Sequence, residues 1–219
     1  MKLDELSIRA FVEELRSPKA TPGGGSIAAL CGVLGAAVSA MAAGITRGKE
    51  KFKDRWTSME ELARRADELR EHLLGLVQQD TDAYQEVVGA LRLPRETEQQ
   101  RILRREAVQA SLKEAALVPL ETLRTSVTVM EIAQQAVEHG DPITVTDAGA
   151  AVHLAHTAAV IAAYNVRINL SQIEDERFRR ECSREVEERI SRLKALFAEV
   201  EGYVHEKLKR GNGKERSEQ

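Results

Sequence analysis

The sequence is short of aromatic residues and cysteines, and each shortage excludes a class of protein. Only 4% of the 219 residues are aromatic, and there are two cysteines. Two cysteines exclude a disulfide-rich scaffold. The scarcity of aromatic residues, together with the lack of apolar–polar alternation, argues against a β-sheet protein. The plentiful residues are Ala, Leu, Glu and Arg, which favour helices, so the composition predicts an all-α fold.

The charge balance and the two cysteines limit the partners and the compartment. A formal net charge of −3 provides no basic field for nucleic acid, so no nucleic-acid partner is expected. Cys31 and Cys182 lie far apart on apolar stripes and are interpreted as buried, reduced thiols. Because the N-terminus shows no apolar signal core, we expect a cytoplasmic protein.

One long uncharged run, Ile27 to Ile45, meets the length criterion for a membrane span. It consists mostly of Ala and Gly, and the other predicted helices carry too many charges to accompany it into lipid. A helix that is apolar on all sides can also occupy the centre of a soluble bundle. We therefore interpret the run as a core helix and expect no membrane partner.

Start and stop signals divide the chain into helices. Ser58 and Thr97 each open a capping box, and Pro119 should kink or divide the helix that contains it. The remaining predicted N-caps are Ser26, Thr146 or Asp147, and Asp175. The predicted helices cover residues 4–16, 26–47, 58–91, 97–138, 146–170 and 175 onward.

This pattern predicts a single domain over residues 1–209, followed by a polar, disordered tail over residues 210–219. Six or seven helices, two of them nearly all apolar, indicate a bundle with buried, small-residue-rich central helices. Long helices with broad apolar faces also favour pairing with a second copy of the chain.

Two patterns that suggest bound groups fail on closer inspection. The segment 44–49 resembles a phosphate-binding loop, but its glycine spacing is short by one and no strand precedes it. His153 and His156 lie three residues apart on a helix, yet no third zinc ligand is near them in the sequence. We therefore expect no metal site.

The first candidate site is the segment Pro22, Gly23, Gly24, Gly25 and Ser26, which leads into the uncharged helix. Glycines let the backbone approach a ligand closely, and a helix N-terminus favours an anion. The alternative interpretation is a flexible connector.

The second candidate is Asp80, because it interrupts an apolar seam on a long helix. A carboxylate on a core stripe must be paired, hydrogen-bonded or protonated, and such surroundings also produce a general acid or base. The alternative is a buried ion pair, whereas Asp82 falls off the seam and is expected in solvent. The seam consists of Leu69, Leu73, Leu76, Asp80, Ala83, Val87 and Leu91.

The third candidate is a pair of amides, Asn165 and Asn169, on one face of a helix that is otherwise nearly all apolar. Buried amides need hydrogen-bond partners, so the two residues either join helices or line a polar pocket. Asp147, near the start of the same helix, has an ordinary explanation as a cap or first-turn acid.

Taken in order, these segments resemble the cyclodeaminase/cyclohydrolase family of tetrahydrofolate one-carbon metabolism. This family includes the C-terminal half of formiminotransferase-cyclodeaminase and the stand-alone methenyltetrahydrofolate cyclohydrolases. The resemblance covers about residues 5–205. It rests on Ser17-Pro18, Thr21 to Ser26, Thr46-x-Gly48-Lys49, Asp80-x-x-Ala83-Tyr84, Arg92-Leu93-Pro94, Asp147, and Asn165-Val166-x-Ile168-Asn169-Leu170.

The resemblance implies an all-α homodimer whose folate cleft is lined by the glycine loop and the central helices. It places the catalytic aspartate at Asp80, the residue that the helical periodicity also singles out. It implies a tetrahydrofolate derivative as substrate and no tightly bound cofactor. We expect the further substrate-binding residues to be Pro22, Gly23, Gly24, Gly25, Ser26, Thr46, Lys49, Tyr84, Asp147, Asn165 and Asn169. Among these, Lys49 is assigned on chemical grounds to the anionic glutamate tail.

Two functions from different classes follow. The first is a folate enzyme acting on the carbon between N5 and N10, as methenyltetrahydrofolate cyclohydrolase, formiminotetrahydrofolate cyclodeaminase, or both. Each reaction passes through a tetrahedral carbon between two nitrogens, and each needs one group that moves protons. The alternative is a catalytically silent helical dimer that binds folate or acts as a scaffold.

Overall fold

The computed structural model describes residues 2–215, with side chains up to residue 209, and all its long elements are α-helices. Short 3₁₀ turns at Leu3–Glu5, Glu50–Arg55 and Pro142–Thr144 are the other regular elements of that part of the chain. The predicted all-α fold is confirmed. The helices are α1 (Ile8–Arg16), α2 (Gly24–Arg47), α3 (Trp56–Leu91), α4 (Glu98–His139), α5 (Val145–Leu170) and α6 (Glu176–Glu215).

Helices α2 and α5 form the centre of the bundle because their small residues let them approach closely. A Cβ atom on Gly35 of α2 would lie only 3.2 Å from the Ala151 carbonyl oxygen of α5, so no side chain separates the two backbones there. Helices α3 and α4 pack against this pair, and α6 packs against α4 and α5. The small residues that are fully buried include Ala28, Ala36, Ala42, Ala43, Ala151, Ala155, Ala159, Ala162 and Ala163.

One of the predicted capping boxes forms and the other does not. Thr97 accepts a hydrogen bond from the Gln100 N–H, and the Gln100 side chain accepts from the Thr97 N–H, as predicted. The box at Ser58 is wrong, because α3 already begins at Trp56 and the Ser58 hydroxyl donates to the Arg55 carbonyl instead. The preceding 3₁₀ turn supplies a helical start two residues upstream.

Three other boundaries differ from the sequence prediction. Helix α2 begins at Gly24, so Ser26 lies inside its first turn and is not the N-cap. Helix α5 begins at Val145 after a 3₁₀ turn, which places Asp147 in its first turn. Pro119 does not divide α4, which runs unbroken for 42 residues.

Helix α6 extends the predicted last helix to Glu215. The backbone of residues 210–215, which belong to the predicted disordered tail over residues 210–219, is the end of this helix. The side chains of these residues, and all of residues 216–219, lie outside the described part of the chain.

Two stretches, Gly24–Arg47 and Pro142–Leu170, are long and apolar enough to cross a membrane by length and composition alone. In the folded chain, 50% of the first window and 44% of the second are buried inside the bundle. The part that remains outside includes one stripe of uncharged residues on each of α2 and α5, and these two stripes are called here the outer face. It consists of Ile27, Cys31, Leu34, Val38, Met41, Ile45, Ala150, Leu154, Thr157, Ile161, Tyr164 and Ile168.

The end of α2 is fastened to the turn between α4 and α5 through Asp141, which is 3% exposed. The Thr46 hydroxyl accepts a hydrogen bond of 2.9 Å from the Asp141 N–H. The Asp141 carboxylate forms an ion pair with Lys49 and lies 3.7 Å from the Lys51 ammonium. Burial alone would raise the pKa of Asp141, but Lys49, the Ile143 N–H and the charge of Lys51 together lower it.

We predict that Lys49→Met lowers the free energy of unfolding by about 1.5–3 kcal/mol at pH 7, because a buried, hydrogen-bonded carboxylate loses the nearer of its two cations. Urea unfolding monitored by circular dichroism measures this change. The matched control is Lys53→Met, which breaks an exposed pair with Glu50 and should change stability by less than about 0.5 kcal/mol.

The pH dependence of the same experiment has a definite sign. A carboxyl whose pKa is lowered by folding contributes stability above its unfolded pKa, and that contribution is lost as the pH falls through the folded pKa. The difference in unfolding free energy between wild type and Lys49→Met should therefore become smaller below about pH 4. A constant gap down to pH 2 would show that Lys49 stabilises the fold without its charge.

Candidate active site

The carboxylate of Asp80 meets the N-terminus of α2. The Ser26 hydroxyl donates a 2.9 Å hydrogen bond to Asp80 Oδ2, and the Ser26 backbone N–H also donates to this carboxylate. Ser26 is the third residue of α2, so Asp80 satisfies one of the N–H groups that lack partners at the start of a helix. Thr81, next to Asp80 on α3, places its hydroxyl 3.5 Å from that of Ser26.

Gly25 makes room for this contact. A Cβ atom built on Gly25 would lie 1.8 Å from Asp80 Oδ1, far inside van der Waals contact. At Gly24 the nearest atom to a Cβ would be the Asn165 Nδ2 at 3.4 Å, which is an ordinary contact. The described glycines all have negative φ, so the glycine loop serves close approach and not a left-handed turn.

Opposing effects act on the acidity of Asp80. Burial raises its pKa, while the two hydrogen bonds from Ser26 lower it, and the net result is a raised pKa. Within the described residues, no Lys or Arg forms an ion pair with Asp80. The alternative of a buried ion pair is therefore not realised, and Asp80 remains a half-buried carboxyl without a countercharge.

A cavity of about 360 Å³ opens onto Asp80 between the start of α2, the ends of α3 and α5, and the middle of α4. Tyr84 stands one helical turn beyond Asp80 at its rim and is 44% exposed. The lining residues are Ala20, Thr21, Gly23, Gly24, Gly25, Asp80, Tyr84, Val87, Val88, Leu91, Leu112, Ala115, Asn165, Asn169 and Gln172.

The two amides of α5 both reach this cavity and are both tied to backbone. Asn165 Nδ2 donates to the Ile161 carbonyl at 2.9 Å. Asn169 Nδ2 donates to the Ala115 carbonyl of α4 at 2.6 Å. The sequence leaves open whether these residues join helices or line a pocket. In the structure Asn169 does both.

Three residues expected to bind the substrate lie away from this cavity in the single chain. Thr46 is 20 residues beyond Ser26 on the same helix, which at 1.5 Å per residue separates them by about 30 Å. Lys49 is engaged with Asp141 near Thr46. Asp147 lies at the same end, because α5 starts there. A single straight helix cannot bring both its ends to one cavity.

Pro22 and Ser26 are buried beside the cavity without lining it. Pro22 lies in the glycine loop, after a cis peptide bond with Thr21, and Ser26 contacts Asp80. The cavity thus unites seven of the predicted residues, namely Gly23, Gly24, Gly25, Asp80, Tyr84, Asn165 and Asn169.

Several lining residues escaped sequence reasoning. Gln172 follows α5 and gave no signal of its own. Leu112 and Ala115 lie on α4, where they look like ordinary core residues. A signal for Ala115 did exist, because it stands four residues before Pro119, the spacing at which a helix proline leaves a carbonyl without its donor.

A larger groove of about 660 Å³ runs between α4 and α6 but offers less chemistry. Charged side chains in this groove are engaged in ion pairs; for example, Arg124 and Arg189 both bind Glu185. The hydrogen bond from Arg124 lowers the pKa of Glu185 to about 2, so this carboxylate does not exchange protons near neutrality. The Asp80 cavity is the better candidate site.

The comparison with known proteins agrees with this choice. A family model described as Formiminotransferase-cyclodeaminase matches residues 7–188, a range that includes the residues of the cavity. The chain belongs to this family. The predicted family resemblance is thereby confirmed.

The relatives of this chain differ in length. A protein of Methylorubrum extorquens named methenyltetrahydrofolate cyclohydrolase is 33% identical over 92% of this chain and 93% of its own length. The formimidoyltransferase-cyclodeaminase of Rattus norvegicus is 31% identical over 90% of this chain, which spans 37% of that longer protein. A solved structure of formiminotetrahydrofolate cyclodeaminase from Thermotoga maritima superposes with a TM-score of 0.83 at 28% identity, covering 93% of this chain and 98% of the other.

We predict that Gly25→Ala displaces the Asp80 carboxylate and breaks its bond to Ser26. Overpacking of this kind lowers stability by about 1–3 kcal/mol, and any activity that depends on Asp80 should be lost. Thermal unfolding and a turnover assay measure both effects. Gly44→Ala, on the same helix but with nothing within 4 Å of the added Cβ, is the matched control and should be tolerated in both assays; equal behaviour of the two variants would contradict the contact.

Proposed function

We propose that this protein opens or closes the one-carbon bridge between N5 and N10 of tetrahydrofolate. The single observation that carries the proposal is Asp80, a half-buried carboxyl with a raised pKa and no ion pair among the described residues, at the inner wall of the cavity. A raised pKa brings a carboxyl toward the range in which it both accepts and donates protons near neutral pH.

In the cyclohydrolase direction, water attacks the cationic methenyl carbon. As the carbon–oxygen bond forms, the Asp80 carboxylate accepts one proton from the water. The carboxylic acid then donates that proton to the ring nitrogen whose bond to carbon breaks. The remaining hydroxyl proton leaves as the formyl carbonyl forms, so one proton is released for each water consumed.

In the cyclodeaminase direction, N10 attacks the carbon of the protonated formimino group on N5, and the C=NH2+ nitrogen of that group becomes a neutral amino group. Asp80 accepts the proton that N10 loses and donates it to the departing amino nitrogen, which leaves as ammonia. The product is the methenyl bridge, which is the substrate of the first reaction. One carboxyl therefore serves both reactions, and the proposal includes no metal or tightly bound cofactor.

The two reactions are supported by different relatives. The relative whose length this chain matches to 93% is named a cyclohydrolase, and the solved structure that it matches to 98% is named a cyclodeaminase. The deciding assay supplies methenyl- and formimino-tetrahydrofolate separately. Absorbance follows ring opening of the first, and the amount of ammonia released follows turnover of the second. If neither folate turns over but a folate analogue raises the melting temperature, the silent folate-binding alternative is favoured.

We predict that Asp80→Asn lowers kcat by about 10²–10⁴-fold on whichever folate the wild type consumes, the usual contribution of a general acid or base. Asparagine keeps the size and can still accept the Ser26 hydrogen bonds, so the fold should survive. The control is Asp82→Asn, since Asp82 is exposed and accepts a hydrogen bond from Gln78, and the turnover of this variant should stay within twofold of wild type.

The stability of Asp80→Asn gives a second measurement with a definite sign. A carboxyl whose pKa is raised by folding binds its proton more tightly when folded, so it costs stability as the pH rises from about 4 through the raised value. The melting temperature of Asp80→Asn relative to wild type should therefore increase between pH 4 and pH 7. Wild-type turnover in this variant would show that Asp80 only caps α2.

We also propose that the protein acts as a homodimer in which a second copy covers the outer face. That face offers exposed Leu34, Met41, Tyr164 and Ile168, with 61% exposure at the last two, and exposed apolar side chains in one patch favour a protein–protein contact. Because Gly24 lies against Asn165 and Ile161, the outer face borders the cavity, and its burial would wall the site on one side.

The dimer has its own prediction. Leu34→Asp should yield a monomer in sedimentation velocity at micromolar concentration, because a buried charge without a partner opposes association. Leu103→Asp, which alters an exposed leucine of α4 away from the outer face, should leave the assembly unchanged. A wild-type chain that sediments as a monomer would refute the proposal.

A further inference from the structure

Pro119 stands in the middle of α4 and breaks one link of its hydrogen-bond ladder. In an α-helix each N–H donates to the carbonyl four residues earlier, and proline has no N–H. The Ala115 carbonyl is therefore without the donor that residue 119 would normally supply. Ala115 lines the cavity, so the gap in the ladder opens toward the candidate site.

Asn169 fills this gap from the neighbouring helix. Its Nδ2 donates to the Ala115 oxygen at 2.6 Å, across 54 residues of sequence. This substitute donor satisfies a carbonyl that would otherwise lack a partner, and α4 continues unbroken through Pro119. The proline and the asparagine thus form one unit, with the Ala115 carbonyl between them.

The contact also decides which way the amide points. A carbonyl oxygen can only accept, so the nitrogen of Asn169 must face Ala115, and its Oδ1 makes no hydrogen bond with the described residues. The same logic applies to Asn165, whose nitrogen is held by the Ile161 carbonyl. The oxygens of these two amides and the Asp80 carboxylate are therefore acceptors on residues that line the cavity, and each amide keeps a second N–H as a donor.

We infer that Pro119 is a positioning residue of the site, which acts by leaving the Ala115 carbonyl free to orient Asn169 as an acceptor for N–H groups of the ligand. Acceptors at this position favour a ligand that presents N–H groups, such as a heterocycle with adjacent ring N–H and amino groups. The identity of that ligand as a reduced folate rests on the proposed function. The link between Pro119 and Asn169 is independent of the proposed function.

The variant Pro119→Ala tests the inference, because it restores an N–H that competes with Asn169 for the Ala115 carbonyl. A released Asn169 should raise KM for the folate about tenfold, the usual effect of one lost hydrogen bond in a binding site. The value of kcat should stay within about twofold, since Asp80 is untouched. The melting temperature should hold or rise, because a proline leaves a helix interior.

Two further variants separate positioning from a general structural effect. Asn169→Ala should raise KM by a similar factor, and the double variant Pro119→Ala/Asn169→Ala should be no worse than Asn169→Ala alone, because both changes remove the same contact. If the two KM effects multiply instead, the inference is overturned. Pro142→Ala, at the opposite end of the bundle, is the proline control and should leave KM unchanged.

A measurement without substrate tests the link itself. In protein labelled with ¹⁵N-asparagine, the side-chain amide protons of Asn169 should be protected from hydrogen exchange in wild type and exposed in Pro119→Ala. Unchanged protection would refute the role of Pro119 even if the enzyme turns over folate. Lost protection in a protein inactive on both folates would keep the link and reject only the proposed function.

Discussion

The contact between the Asp80 carboxylate and the first turn of α2 is the constraint around which the site is built. It places an acceptor where a helix presents free N–H groups, an arrangement that stabilises the anion. At the same time it buries that acceptor, which favours the neutral acid. Because these two effects oppose each other, the carboxyl can both gain and lose a proton, as a general acid and base must. Gly25 is the residue that permits it, since any side chain there would occupy the place of the carboxylate.

The rest of the bundle serves to keep this contact in register. Small residues let α2 lie directly on α5, and the Thr46, Lys49 and Asp141 contacts fasten the far end of α2. A helix fixed at both ends cannot slide or rotate, so the position of its first turn against Asp80 is fixed as well. The residues that resemble the family motif around Thr46 therefore have a structural role in the single chain, about 30 Å from the cavity.

The sequence predicts well what depends on local pattern. The all-α class, the capping box at Thr97 and the seam that singles out Asp80 all follow from helical periodicity and cap chemistry. The caps at Ser26 and Ser58 were wrong because neighbouring structure moved the helix starts: a 3₁₀ turn leads into Trp56, and Asp80 from another helix takes over the hydroxyl of Ser26.

What the sequence does not predict are relations between distant residues. Motif order along the chain cannot tell which end of a helix meets which end of its neighbour, so the sequence does not predict that Thr46, Lys49 and Asp147 lie far from the glycine loop in the single chain. The partnership of Pro119 and Asn169 is hidden for the same reason, since it spans two helices and passes through a backbone carbonyl that has no side-chain identity.

That carbonyl has a consequence for how such chains diverge. While Pro119 is present, losing the amide at position 169 strands a polar group inside the protein, and while Asn169 is present, restoring an N–H at position 119 leaves the amide without its acceptor. Each residue makes the loss of the other costly, so neither can drift alone. In descendants of this chain the two positions should be inherited together and abandoned together, as a single character that a sequence comparison would record as two.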